Sequence, residues 1–246
     1  MKSFRSLISK LSTPKTAGAS NSQKKTPSKR DPYRYVFIFT YGRSGSTLLM
    51  GYLNSLPGFC IRGENYNALA HLCSFYRSAK ETKGQVAKKS MLAVHPWYGA
   101  DLIKPDAMRS TLRKVFVDSI LNPPAGAKVV GCKEIRINWN EIKDLDTFLS
   151  DVTDIFGDVK FIFNHRDILA TSKSSWWKDT AHSYATIRSM DQRLRDNTFA
   201  AAPNAFHVEY EELVKGPEHA RKLTEFLGVP FDPETYKKVM ETRHSY

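Results

Sequence analysis

Apolar residues fall along this chain in short continuous runs, separated by stretches in which they recur every three or four positions. That is the pattern of buried strands alternating with amphipathic helices. The first run, Tyr35-Val36-Phe37-Ile38-Phe39, is apolar and aromatic throughout, as expected of a strand covered on both faces. It leads through Thr40-Tyr41-Gly42-Arg43-Ser44-Gly45 into a helix over Ser46 to Leu56, which Pro57-Gly58 stops. Phe59 to Arg62 reads as a second short strand, Gly63-Glu64-Asn65 as a turn and Tyr66 to Ala79 as a helix. The polar stretch Lys80 to Ser90 reads as a surface loop or lid.

Further on, Met108, Leu112, Val115, Phe116 and Ile120 recur at helical spacing within Asp106 to Leu121. Lys128 to Cys132 is the next buried strand and ends at Lys133-Glu134. Asp144 to Phe156 is a helix with Leu145, Phe148, Leu149, Val152 and Ile155 on one face. Val159 to Asn164 is a strand, followed by His165-Arg166-Asp167 and a helix from Ile168 towards Trp177. A helix over 180–198, a strand from Ala205 to Val208 and helices over 216–227 and 233–242 complete the pattern. The alternation predicts an α/β fold, a single domain whose central, mainly parallel sheet is flanked by helices. Open sheets of this kind bind ligands beyond the carboxyl ends of their strands, where Tyr41 to Thr47, Glu64, Lys133 and Arg166 fall.

Charge changes this picture less than its total suggests. Of the formal +12, residues 1 to 30 contribute eight Lys and Arg with no acid, leaving +4 for the rest. The mildly basic remainder suits an anionic ligand and does not require nucleic acid. The first thirty residues also hold ten Ser and Thr, so residues 1–31 are expected to form a disordered basic tail ahead of a domain over 32–246. Within the tail, Phe4, Leu7, Ile8 and Leu11 lie at helical spacing among basic residues. That pattern suits contact with an anionic membrane surface or a transit-type segment, and a solvated tail is the preferred reading. No apolar stretch is long enough for a signal-peptide core or a membrane span, so a cytoplasmic protein without a membrane span is expected. Cys60, Cys73 and Cys132 form no C-x-x-C pair and have no nearby His at metal-ligand spacing. They are expected to be reduced packing residues, and no metal is expected.

The loop after the first strand carries the chemistry. Gly42, Ser44, Gly45, Ser46 and Thr47 lack bulk, so backbone N–H groups at a helix N-terminus can approach a phosphate-like group while Arg43 adds positive charge. A nucleotide-hydrolase loop needs lysine directly after its second glycine; here Ser46 follows Gly45. A strand followed by an aromatic-x-Arg-Ser-Gly-Ser-Thr loop and a helix resembles the 5′-phosphosulfate loop of sulfotransferases that use 3′-phosphoadenosine-5′-phosphosulfate (PAPS). A second segment, Val159 to Ser174, resembles another signature of that family: strand, Arg166-Asp167, alanine four residues after the arginine and Ser174 eight after it. The resemblance implies that Arg166 and Ser174 hold the 3′-phosphate of PAPS, and an arginine fork with a hydroxyl two helical turns later suits that task. Tyr210-Glu211-Glu212-Leu213 and Phe226 to Pro230 resemble the family's C-terminal segment and bear on the fold more than on the site.

By the same resemblance the chain is expected to be a PAPS-dependent sulfotransferase with a P-loop-like fold, acting without metal on a hydroxyl of a small-molecule or carbohydrate acceptor. Glu64 stands where tyrosylprotein sulfotransferases and several bacterial carbohydrate-type enzymes carry a catalytic glutamate, which makes it the expected general base. A pairing of Glu64 with Arg62, or a helix-capping role, is the structural alternative. Phenol-type relatives use histidine, which brings in His95, His165 and His182; His95 is the second choice, and His165 is expected to point away from Arg166. Arg43 and Lys133 are expected to stabilise charge on the leaving group, with a Lys133 to Glu134 surface pair as the alternative. His95, Trp97 and Trp177, together with Trp176, are candidate acceptor contacts. The divergent stretch at about 75 to 125 is expected to shape the acceptor pocket. The rival readings are a P-loop small-molecule kinase, which would need Mg²⁺, and a non-catalytic nucleic-acid or membrane-surface binder using the basic tail.

Overall fold

Five strands lie side by side in the order β2-β3-β1-β4-β5, every neighbouring pair parallel. The computed structural model describes residues 32–86 and 90–242; the basic tail lies outside them. β1 (Arg34–Phe39) is central, and from it α1 (Ser46–Ser55) leads to β2 (Phe59–Arg62). α2 (Ala68–Val86), α3 (Pro105–Phe116) and a π-helical turn at Val117–Leu121 precede β3 (Val129–Glu134). α4 (Leu145–Phe156), β4 (Val159–His165), α5 (Ile168–Ser172) and α6 (Ser183–Asp196) follow. β5 (Ala205–Glu209), α7 (Tyr210–Lys215), α8 (Pro217–Leu227) and α9 (Pro233–Glu241) complete the chain.

Alternate residues of β1 feed two cores. Tyr35, Phe37 and Phe39 face a layer built by α2, α4 and α6, while Val36 and Ile38 face α1, α8 and α9. The first layer is aromatic: Phe37 meets Phe156 edge to face at 5.1 Å, and Phe39 meets Phe148 at 5.4 Å. Such contacts add about 0.5–1.5 kcal/mol each beyond area burial. The central position of β1 therefore fixes the loop after it more firmly than an edge strand could.

Two sequence expectations change. Lys80 to Val86 continues α2 rather than forming a loop, because the helix packs along α4: Arg77 grips Asp151, and Lys80 Nζ reaches Asp154 Oδ2 at 2.7 Å. Helix α3 stops at Phe116, and the wider π turn leaves Ile120 on the surface, 41 % exposed, while Leu121 enters the core. Cys60, Cys73 and Cys132 are buried free thiols, with burial pushing Cys132 up to about 12. Among the described residues no helix is long and apolar enough to cross a membrane, and no group of three or more His, Cys, Asp or Glu side chains could hold a metal ion.

Candidate active site

The sharpest constraint at the carboxyl edge of the sheet is Gly45, the N-cap of α1. Its φ of 78° lies in the left-handed region, and an added Cβ would stand 2.1 Å from Tyr210 Cδ2. With no side-chain cap on α1, the N–H groups of its first turn are left for a ligand. Gly42 is as crowded from the other direction: its Cβ would meet Trp176 Cζ2 at 2.6 Å. Between them Arg43 takes a φ of 67°, a conformation that costs a non-glycine residue about 1–3 kcal/mol. Buried polar contacts hold the loop in that shape. Ser44 Oγ lies 2.7 Å from Thr40 Oγ1, and Asn164 Nδ2 donates to the Ser44 carbonyl at 2.9 Å. Ser44 thus turns its hydroxyl inward, while Gly45, Ser46 and Thr47 line a cavity of about 610 Å³.

Arg166 enters the same cavity from the end of β4, the strand next to β1. Its Nη1 donates to the Arg43 carbonyl at 2.9 Å, and its guanidinium lies 4.6 Å over the Tyr210 ring. The Nε atoms of Arg43 and Arg166 are both buried without a hydrogen-bond partner. Two guanidinium side chains lining one cavity favour an anion there. Ser174 also lines the cavity, but not from a helix shared with Arg166. Asp167 caps α5 by accepting from Ala170 N at 2.6 Å, the helix ends at Ser172, and Ser174 is extended. Ser175 then turns with a φ of 52° into a 3-10 segment, Ser175–Asp179, which carries Trp176 over the loop.

Glu64 and Lys133 meet at the ends of the adjacent strands β2 and β3. Lys133 Nζ donates to Glu64 Oε1 at 2.7 Å, and Arg136 Nη1 stands 3.0 Å from Glu64 Oε2. The two alternative pairings for these residues are both absent from the structure. Arg62 donates to the Leu121 and Asn122 carbonyls, and Glu134 pairs with Arg136 while accepting from Asn67 N. Lys133 is buried, 5 % exposed, and lines the cavity with Glu64. Beyond them the Arg136 guanidinium lies 4.9 Å from the Tyr66 ring and 5.1 Å from that of Trp139, an exposed aromatic pair set edge to face.

Other sequence candidates lie elsewhere. His95 and Trp97 sit on an exposed segment and do not line the cavity; His95 Nδ1 accepts from Trp97 N at 3.1 Å. His182 is exposed at the start of α6, and His165 is buried beneath the sheet edge, facing away from the cavity. Trp177 acts as a prop, its Nε1 donating to the Gly42 carbonyl at 2.8 Å, whereas Trp176 lines the cavity with its ring 5.7 Å from the Arg43 guanidinium. None of the described residues from 75 to 125, expected to shape an acceptor pocket, lines this cavity; Leu48, Ile135, Tyr210, Val214, Met240 and Thr242 complete its wall. Tyr210 therefore belongs to the site as well as to the fold. Its position before the acidic pair Glu211-Glu212 gave no sign of that, because the contact depends on how α7 leaves β5.

A parallel α/β sheet with an anion cradle after its central strand and an arginine after the next defines a P-loop-like group-transfer architecture. Within that class, a sequence model of the Sulfotransferase family matches residues 35–233, and the chain belongs to that family. Among solved structures, the chain is similar to the sulfotransferase domain of the Synechococcus PCC 7002 olefin synthase, at 21 % identity and a TM-score of 0.54 over 90 % of this chain and 82 % of that one. It is also similar to the sulfotransferase domain from the curacin biosynthetic pathway, at 17 % identity and a TM-score of 0.46 over 84 % and 77 % of the two chains. No curated protein sequence matches the chain.

Proposed function

We propose that this sulfotransferase takes its sulfuryl group from PAPS and delivers it to a hydroxyl of a small-molecule or carbohydrate acceptor. The observation that carries the reading is one cavity that gathers Arg43 and Arg166, each with an unpartnered buried Nε, beside Glu64 and Lys133. PAPS is the second substrate, supplying a sulfuryl group attached to a phosphate that can leave with the charge. The residues suit it. The α1 N-terminus, Ser46, Thr47 and Arg43 offer donors for the 5′-phosphosulfate, and Arg166 with Ser174 offers a guanidinium and a hydroxyl for the 3′-phosphate.

In this reading Glu64 receives the proton of the acceptor hydroxyl as the acceptor oxygen bonds to sulfur and the bond from sulfur to the phosphate oxygen breaks. Lys133 and Arg43 stabilise the charge that moves onto that phosphate. Arg43 acts by charge and hydrogen bonding, since a guanidinium does not give up its proton. Family membership and Ser46 in the place of a lysine leave the P-loop kinase reading without support. Transfer of labelled sulfate from PAPS to a panel of sugars, phenols and peptides tests the activity, and adenosine 3′,5′-bisphosphate is expected to raise the melting temperature. No thermal shift and no transfer to any acceptor would sink the reading.

A further inference from the structure

Behind the cavity runs a chain of buried polar groups that the proposed reaction does not use. Tyr41, fully buried at the end of the first loop's approach, accepts from the backbone N–H of Arg166 at 2.9 Å. Its own hydroxyl has two acceptors within reach, the Arg166 carbonyl at 2.9 Å and Asp191 Oδ1 on α6 at 3.0 Å. Asp191 Oδ1 is also 2.7 Å from His165 Nδ1, His165 Nε2 is 2.8 Å from His207 Nδ1 on β5, and His207 Nε2 is 3.0 Å from the Ala200 carbonyl. Arg195 closes the far side, donating from Nε to Asp191 Oδ2 at 2.8 Å and from both terminal nitrogens to Glu209. The chain thus begins at one anion-binding loop, holds the backbone of the other, and runs inward through three titratable groups.

The Ala200 carbonyl can only accept. Asp191 is a carboxylate: burial alone would raise it, but hydrogen bonds from His165 and Arg195 bring it down to about 2. Three short gaps, from Asp191 to His165, from His165 to His207 and from His207 to Ala200, link the two rings to one carboxylate and one carbonyl. Burial, chiefly, holds His207 below the ordinary imidazole range, with the charges of His165 and Arg195 acting in the same direction. The other groups facing this pair are Tyr41, Arg195, Glu209 and, behind Glu209, His219, whose Nε2 accepts from Glu209 N.

We propose that Tyr41, Asp191, His165 and His207 form a positioning element for donor recognition, which holds Arg166 in register with the first loop through a buried chain of hydrogen bonds. The proposal rests on the proposed function, in which Arg166 receives the 3′-phosphate. None of the four residues touches the donor. They act by fixing the backbone from which the Arg166 side chain projects, and through its bond to the Arg43 carbonyl they join the two loops into one receptor. Each bond shares a residue with the next, so the element works as a unit rather than as separate hydrogen bonds.

The test compares binding of adenosine 3′,5′-bisphosphate with that of adenosine 5′-monophosphate, measured by calorimetry on the full chain. Wild type is expected to favour the bisphosphate at least tenfold. Tyr41→Phe, which keeps the buried ring and removes only the hydroxyl, is expected to lose most of that preference while binding the monophosphate within twofold of wild type. Arg166→Ala gives the reference for complete loss. A Tyr41→Phe protein that keeps the wild-type preference overturns the positioning role and leaves the Arg166 assignment standing. A wild type that binds both nucleotides equally overturns the Arg166 assignment and this proposal with it.

Discussion

Lys133 Nζ donates to Glu64 Oε1 at 2.7 Å across 69 residues of sequence. The register of β2 on β3, Arg62 beside Cys132, brings the two strand ends level and the residues just beyond them together. Arg136 takes the second carboxylate oxygen, so Glu64 is held from both sides at the cavity wall.

Replacing Glu64 by Gln keeps the shape and removes the proton acceptor. The proposed base predicts that Glu64→Gln loses about 10²–10⁴-fold in kcat, the usual range for a general base, while adenosine 3′,5′-bisphosphate still raises the melting temperature. Steady-state rates against PAPS and an identified acceptor decide it; a variant with full activity removes Glu64 from the role.

The two crowded glycines should behave differently. Gly45→Ala places Cβ 2.1 Å from Tyr210 and must hold a φ of 78°, so loss of bisphosphate binding and a destabilisation of about 1–3 kcal/mol are expected. Gly42→Ala meets only the half-exposed indole of Trp176, which can swing aside, and donor binding should fall less than tenfold. Calorimetric binding with both variants checks the order; equal losses would show that the Tyr210 contact does not set the loop.

Asp191 gives an acid dependence with a definite sign. Its carboxyl is held at about 2 against an ordinary 3.8, so it stabilises the fold fully above about pH 4 and loses that contribution as the pH falls towards 2. The difference corresponds to about 2 kcal/mol. Melting temperatures should drop across that window in wild type and fall less steeply in Asp191→Asn.

Asp151 works in the opposite direction. Burial raises its carboxyl above the ordinary range despite Arg77, whose Nε and Nη2 both reach Oδ2. Removing the guanidinium leaves the buried carboxylate only the Lys80 ammonium, 3.9 Å from Oδ1, so Arg77→Ala should cost about 3 kcal/mol at pH 7. A raised carboxyl is least costly in its protonated form, below its unfolded value, and opposes folding as the pH rises through the folded value. The Arg77→Ala deficit should therefore shrink between pH 7 and pH 4.5, which denaturant titrations at the two values measure.

Much of this architecture is legible in local sequence because local physics decides it. A five-residue aromatic and aliphatic run has to be a buried strand, Asp144 and Asp167 announce helix starts, and small residues after a strand make an anion loop. The errors lie where a neighbour overrode composition. Lys80 to Val86 looks like loop because it is polar, yet α4 supplies Asp151 and Asp154 as ion-pair partners for Lys80. The segment after Arg166 reads as one long helix, yet it breaks at Ser172 so that Trp176 can close over Gly42.

The sequence by itself determined the order of strands and helices, the first loop and the spacing of Arg166 from it, all consequences of periodicity and backbone permissiveness within a few residues. Only the tertiary structure decided that Glu64 pairs with Lys133 and Arg136 rather than Arg62, that Tyr210 and Trp176 wall the cavity, and that Asp191 and His207 are the partners of His165. Those outcomes depend on which strand ends become neighbours in the sheet. Contacts of that kind, across 26 to 150 residues, leave no local trace in the chain that makes them.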